Sequence, residues 1–122
     1  MASEHLLRRD LVEVCRRFDF VLYHLDGSQC LGHLDHILGI EGVTAIEWTP
    51  EPGRPGGGDP TWYDLYRRIK AAGKAVQAIW VKPDEIDPLF EAVGPEGMFL
   101  QIRVASEAEA RRLLDRCNKW YG

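Results

Sequence analysis

The sequence predicts an α/β protein in which four parallel strands alternate with helices after one extra N-terminal helix. Two observations carry this. Short runs rich in Val, Ile, Leu and Phe recur between stretches of helical periodicity, with Gly and Pro between them. Strands that alternate with helices form parallel sheets with right-handed crossovers. A third observation points to where function would lie. The stretch Phe20-Val21-Leu22-Tyr23-His24-Leu25-Asp26-Gly27 is an apolar strand that ends in a histidine and a carboxylate and breaks at glycine. In parallel α/β proteins, polar residues at a strand's carboxyl end are where chemistry gathers.

The elements follow in order. Residues 3 to 18 carry Leu7, Leu11, Val14, Cys15 and Phe18 at helical spacing, with Ser3 as N-cap. Residues 20 to 25 form the first strand, and a short helix follows from about 29 to 38 with Leu31, Leu34, Ile37 and Leu38 on one face. Gly39 and Gly42 end it and lead into a second strand, Thr44 to Trp48. The Gly- and Pro-rich segment Pro50 to Pro60 is a loop, read as mobile, with a lid or a phosphate cradle as the functional alternatives. No Lys-Ser or Lys-Thr follows it, so it is no nucleotide P-loop. Asp59 caps the next helix, Pro60 takes its first position, and Trp62, Leu65, Tyr66 and Ile69 give it an apolar face up to Gly73. Trp62, Tyr63 and Tyr66 read as packing residues, with one of them open to an interface role. The third strand is Ala75 to Val81. Asp87-Pro88 caps a helix carrying Leu89, Phe90 and Val93, and Gly94 to Gly97 is a turn. Met98 to Val104 is the fourth strand, and the capping box Ser106-Glu107-Ala108-Glu109 opens the last helix. Trp120 and Tyr121, apolar where a chain end usually frays, suggest a partner surface. No linker divides residues 1–122, which read as one domain.

Composition narrows the function classes. With 15 Lys and Arg against 19 Asp and Glu, the net charge is −4, and the basic residues form no run, so no nucleic-acid partner is expected. No apolar run approaches the roughly 18 residues a membrane span needs, so no membrane partner is expected. The first residues carry an acid early and no apolar segment, so no secretory signal is expected. Cys15, Cys30 and Cys117 are odd in number and widely spaced, which fits reduced thiols and a cytoplasmic protein. No Cys-x-x-Cys occurs, so a zinc ribbon is not expected.

Strand side chains alternate between faces. One parity collects Leu22, His24 and Asp26; Ala45, Glu47 and Thr49; and Phe99, Gln101 and Arg103, with Gln77, Ile79 and Val81 added from an ambiguous third strand. The other parity is almost wholly apolar and belongs under the helices. A face that turns polar toward the strand ends is costly inside a three-layer sandwich, but it is the lumen of a (βα) barrel. Four βα units make a (βα)4 half of a TIM barrel, with an extra N-terminal helix and two open edges that a second copy or another half would close; the alternative is a flatter four-stranded sheet that dimerises face to face.

Tyr23-His24-Leu25-Asp26-Gly27, His33-Leu34-Asp35, Ala45-Ile46-Glu47-Trp48, the Gly/Pro loop closing on Trp62, and Ile69-Lys70-Ala71-Ala72-Gly73-Lys74 together resemble the C-terminal half of the uroporphyrinogen decarboxylase family, which includes the corrinoid-dependent methyltransferases. The likeness spans residues 18 to 117 and implies TIM-barrel ancestry. In the methyltransferase branch a His-x-Cys at this strand end and a distant Cys bind zinc. Here the matching positions read His24-Leu25-Asp26, and residues 98 to 104 hold no Cys. The decarboxylase branch places its substrate-binding arginines and key aspartate in an N-terminal half that has no counterpart here.

His24, Asp26, Glu47 and Arg103 are the candidate catalytic residues. His24 and Asp26, with Glu47 as third ligand, form a candidate site for zinc or a first-row metal; alternatively, Asp26 caps the following helix and His24 is hydrogen-bonded in the lumen. Glu47 and Arg103 suit acid/base or anion-binding roles, or a lumen ion pair within or between subunits. His33, Asp35 and His36 read as a solvated helix face. The expected protein is a half-barrel that self-associates as a homodimer without supported catalysis. Alternatives are a metal-dependent methyltransferase or decarboxylase-like enzyme completed at the subunit interface, and a small-molecule binding module. No cofactor is expected, with zinc left open.

Overall fold

The computed structural model describes residues 2–121, with side chains described from residue 8 onward. Its elements are α1 (Ala2–Cys15), β1 (Leu22–Asp26), α2 (Leu34–Leu38), β2 (Ala45–Thr49), α3 (Tyr63–Ala71), β3 (Ala75–Val81), α4 (Ile86–Val93), β4 (Met98–Ile102) and α5 (Glu107–Tyr121). Turns of 3-10 helix, Ser28–His33, Pro60–Trp62 and Pro83–Glu85, lead into α2, α3 and α4. The four strands form one parallel sheet in the order β1-β2-β3-β4. This is the α/β architecture read from the sequence, and a half-barrel is consistent with it.

The strand alternation explains which face is covered. Leu25, Ile46, Trp48, Val76 and Ala78 point under the helices and are buried. They meet Leu34 and Ile37 of α2, Tyr66 and Ile69 of α3, and Leu89 and Phe90 of α4 in one continuous core. The apolar positions of α3 recur at Leu65, Tyr66 and Ile69, which turns one helical face onto the sheet. Among the described residues, no layer covers the opposite face: Phe20 is 84%, Leu22 50% and Phe99 65% exposed.

Ladders and caps fix the elements locally. Asp59 accepts from the Thr61 N–H at 2.9 Å, with Pro60 behind it, as the sequence predicts. Ser106 Oγ accepts from the Glu109 N–H at 3.2 Å, while the Glu109 carboxylate reaches back to the Ala105 N–H at 3.2 Å. Lys74, almost fully buried, donates from Nζ to the carbonyls of Ile40 and Val43 at 2.9 and 2.6 Å, closing the turn between α2 and β2. Lys70 likewise ties α3 to the end of α4 through the carbonyls of Val93 and Gly94.

The structure corrects several expectations. Helix α1 ends at Cys15 rather than at Phe18, and the capping role given to Ser3 falls on a side chain outside those described. Asp87 and Pro88 do not open α4. The chain turns helical at Pro83, and the Glu85 carboxylate accepts from the Lys82 N–H at 2.9 Å, so Asp87 lies inside the first turn. Trp120 and Tyr121 remain partly exposed, at 37% and 53%, and also make contacts within the chain. Both rings pack edge-on against Phe90 at 5.8 Å, Trp120 donates to Asp87 at 2.8 Å and Tyr121 to the Pro95 carbonyl at 2.5 Å. Val81 does not join the open face. A bulge between Ala78 and Val81 shifts the β3–β4 register, turning Val81 into the core and leaving Trp80 exposed with φ 55°, while Ile79 is buried outside that core.

The same bulge holds down the loop 50 to 60, which is docked rather than mobile. Gly57 donates its N–H to the Ile79 carbonyl at 2.8 Å, and its own carbonyl accepts from the buried Tyr66 hydroxyl at 2.5 Å. Trp62 donates to the Pro55 carbonyl at 3.0 Å and stacks edge-on against Trp48 at 4.9 Å. The glycines are what allow this approach. A Cβ on Gly57 would stand 2.2 Å from the Ile79 carbonyl oxygen. Gly57→Ala is therefore expected to lower the unfolding free energy by about 3 kcal/mol. Gly32→Ala, whose added carbon meets nothing within 4 Å, is expected to change it by less than about 0.5 kcal/mol. Urea denaturation of the two variants checks both values.

Candidate functional site

The candidate site lies at the carboxyl ends of β1 and β2, on the uncovered face. Register places it there: His24 stands beside Glu47, and Asp26 beside Thr49. Parity then points all four side chains away from the helices. His24 Nε2 lies 2.9 Å from Thr49 Oγ1, which in turn donates to Glu47 Oε1 at 3.0 Å. With the threonine proton committed to Glu47, the imidazole donates from Nε2. Its Nδ1 is left as the proton-accepting atom. The Glu47 carboxylate is also 3.6 Å from Nε2. The His24 side chain is 57% exposed and Glu47 is 23% exposed, so solvent screens the pair on the histidine side.

The structure brings His24 and Glu47 together and leaves the other two candidates apart. Asp26 stands one pleat beyond His24, exposed, with no ion pair or side-chain hydrogen bond to any described residue, so it does not cap the following turn, where Gly27 takes the N-cap position. Arg103 lies just past β4, at the far edge of the sheet, roughly 14 Å away at three strand spacings. It also has no partner among the described residues, so it forms no ion pair with Glu47 within the chain. Among the described residues, no three His, Cys, Asp or Glu side chains are grouped to hold a metal ion.

Sequence reasoning missed the residues that brace this end of the sheet. Thr49 is the hydrogen-bonding link between His24 and Glu47, and its place two residues after Glu47 on the same face was the signal available. Glu51 gave no signal, because its role depends on where a loop returns. Its carboxylate accepts from both the Ser28 N–H at 2.9 Å and the Ser28 hydroxyl at 2.8 Å, tying the loop after β2 to the turn after β1. The Gly27 N–H adds a bond to the Thr49 carbonyl at 2.8 Å. In the expected solvated face of α2, Asp35 pairs with Arg68 of α3 at 2.5 Å, and His33 buries its Nδ1 without a partner.

Comparison with protein-family models, curated proteins and solved structures gives no match. No helix among the described residues is long and apolar enough to cross a membrane.

The Ser28 backbone and hydroxyl bonds hold the Glu51 carboxyl below the usual carboxylate range, the backbone bond contributing most. A depressed folded-state value means stabilisation that is present above the ordinary carboxylate range and lost as pH falls through the lowered value. The melting-temperature advantage of the wild type over Glu51→Gln is thus expected to be constant near neutrality and to shrink on acidification. Thermal melts of both proteins across that range check it.

Proposed function

We propose that the chain is a half-barrel module that associates with a second copy of itself, the two open sheet faces together forming the lumen of an eight-stranded (βα) ring. The observation that carries this reading is the uncovered face. Leu22, Ala45, Ala75 and Phe99 line an apolar groove that Phe20 extends, and these are side chains that water penalises. Parallel sheets are stable when both faces are covered. The likeness to the later half of a uroporphyrinogen decarboxylase-type barrel belongs to the same reading. It accounts for four βα units in sequential order, with the polar ends of the strands gathered at one mouth. The module's role is then assembly, with no reaction step assigned to it.

A second reading is favoured by one observation. The His24–Thr49–Glu47 chain leaves His24 Nδ1 and the Asp26 carboxylate facing outward, so the mouth is suited to binding a small polar molecule.

Sedimentation equilibrium is expected to return twice the chain mass at micromolar concentration. Phe99→Glu places a charge on the apolar face and is expected to raise the dissociation constant by about a hundredfold, with circular dichroism unchanged. A wild-type protein that stays monomeric across the concentration range overturns the assembly reading. Thermal-shift screening with small carboxylates and amines tests the second reading; a ligand that raises the melting temperature of wild type but not of His24→Ala supports it.

A further inference from the structure

Self-association through the open face is compatible with two arrangements, sheets packed face to face or edges joined into a ring. The residues at the two edges decide between them. Exposed large apolar side chains gather on either side of the missing seam: Phe18, Phe20 and Leu22 along the approach to β1, Phe99 on β4, and Leu114 on α5. Beside β4, Leu100, Ile102, Val104 and Leu114 line a further open groove on the outer side. Face-to-face packing would leave that groove and both strand edges in water.

Charge adds an independent mark. Asp26 ends β1 and Arg103 follows β4. Both are exposed, both belong to the open-face parity, both stand at the carboxyl end, and neither has a partner among the described residues. One chain thus carries an unpaired acid at one edge and an unpaired base at the other.

Register tells where they would meet. His24, Glu47, Gln77 and Phe99 lie at one level across the sheet. An eight-stranded (βα) barrel has a shear of about eight residues, so each half of a two-fold ring contributes about four. Right-handed strand twist makes a path perpendicular to the strands step toward their amino ends as it runs from β1 to β4 and onward. Continued from Phe99, the path reaches the partner's first strand about four residues before His24, which is Phe20. Gln101 then falls beside Leu22, and Arg103 beside His24, one pleat from Asp26.

We infer that Arg103 of the partner subunit completes the mouth cluster, pairing with Asp26 beside His24, while Phe99 of the partner subunit packs on Phe20. The two-fold axis makes this contact twice and closes the ring. The inference rests on the self-association reading and specifies its partner, its register and the residue each copy lends to the other's site.

Charge exchange tests it. Asp26→Arg and Arg103→Asp alone are each expected to raise the dissociation constant, by about tenfold, because each sets like charges against each other across the seam. The combined variant, which restores opposite charges, is expected to return within about threefold of wild type. A dimeric wild type whose combined variant is no tighter than the singles overturns the register and leaves self-association standing. A monomeric wild type overturns both. A second readout is covalent. Phe20→Cys combined with Phe99→Cys is expected to give an interchain disulfide on mild oxidation, since neighbouring-strand positions are within disulfide reach, while either single substitution gives none. Crosslinking by Phe99→Cys alone would place the two β4 strands against each other and overturn the ring.

Discussion

A parallel sheet whose helices cover only one face sets the terms for everything else in this protein. Parallel strands need long crossovers, and all the crossover helices here fall on the same side. The covered side becomes a dense core built on Trp48, Tyr66 and the aliphatic residues around them. The other side keeps its alternate side chains in water: apolar at the amino ends of the strands, polar at the carboxyl ends. Both the candidate site and the apolar groove are consequences of that single asymmetry. They lie on one continuous surface, which is why covering the groove would also shape the mouth.

The carboxyl end is held by interactions that do not belong to the site itself. The loop between β2 and α3 returns across β3 and is locked by Gly57, which bonds to the Ile79 carbonyl at the bulge, and by Tyr66. Glu51 then clamps the turn after β1. His24, Thr49 and Glu47 are thereby carried on strands whose ends are fixed from both sides, so the hydrogen-bonded chain among them is set before any ligand or partner arrives. Burial, with the nearby Glu85 charge, raises the Tyr66 hydroxyl above the usual tyrosine range and favours the protonated form that donates to Gly57.

Much of this was legible in the residues. The strand alternation of Leu22-Tyr23-His24-Leu25-Asp26 and Ala45-Ile46-Glu47-Trp48-Thr49 placed His24 and Glu47 on one face, because a period of two follows from strand geometry alone. The cap at Asp59 and the start of α5 at Ser106 were legible for the same reason, since each is satisfied within a few residues. What escaped depends on contacts far apart in sequence. The Gly/Pro loop looked mobile because composition reports backbone freedom and says nothing of a carbonyl at Ile79 waiting to receive it. The β3 bulge changed the facing of Val81, and Trp120 also found Asp87 and Phe90 within the chain. Glu51 and Lys74 act on residues 23 and 31 to 34 positions away, at distances no local pattern encodes.

The two free edges of the sheet are where the account of a closed assembly meets experiment most directly. Amide hydrogen exchange resolved to single residues, at concentrations where the protein is associated, reads them strand by strand. Ring closure predicts that the outward-facing amides of β1 and β4 exchange as slowly as those of β2 and β3, because each edge is hydrogen-bonded to a second copy. Fast exchange along both edges beside a protected centre would contradict it.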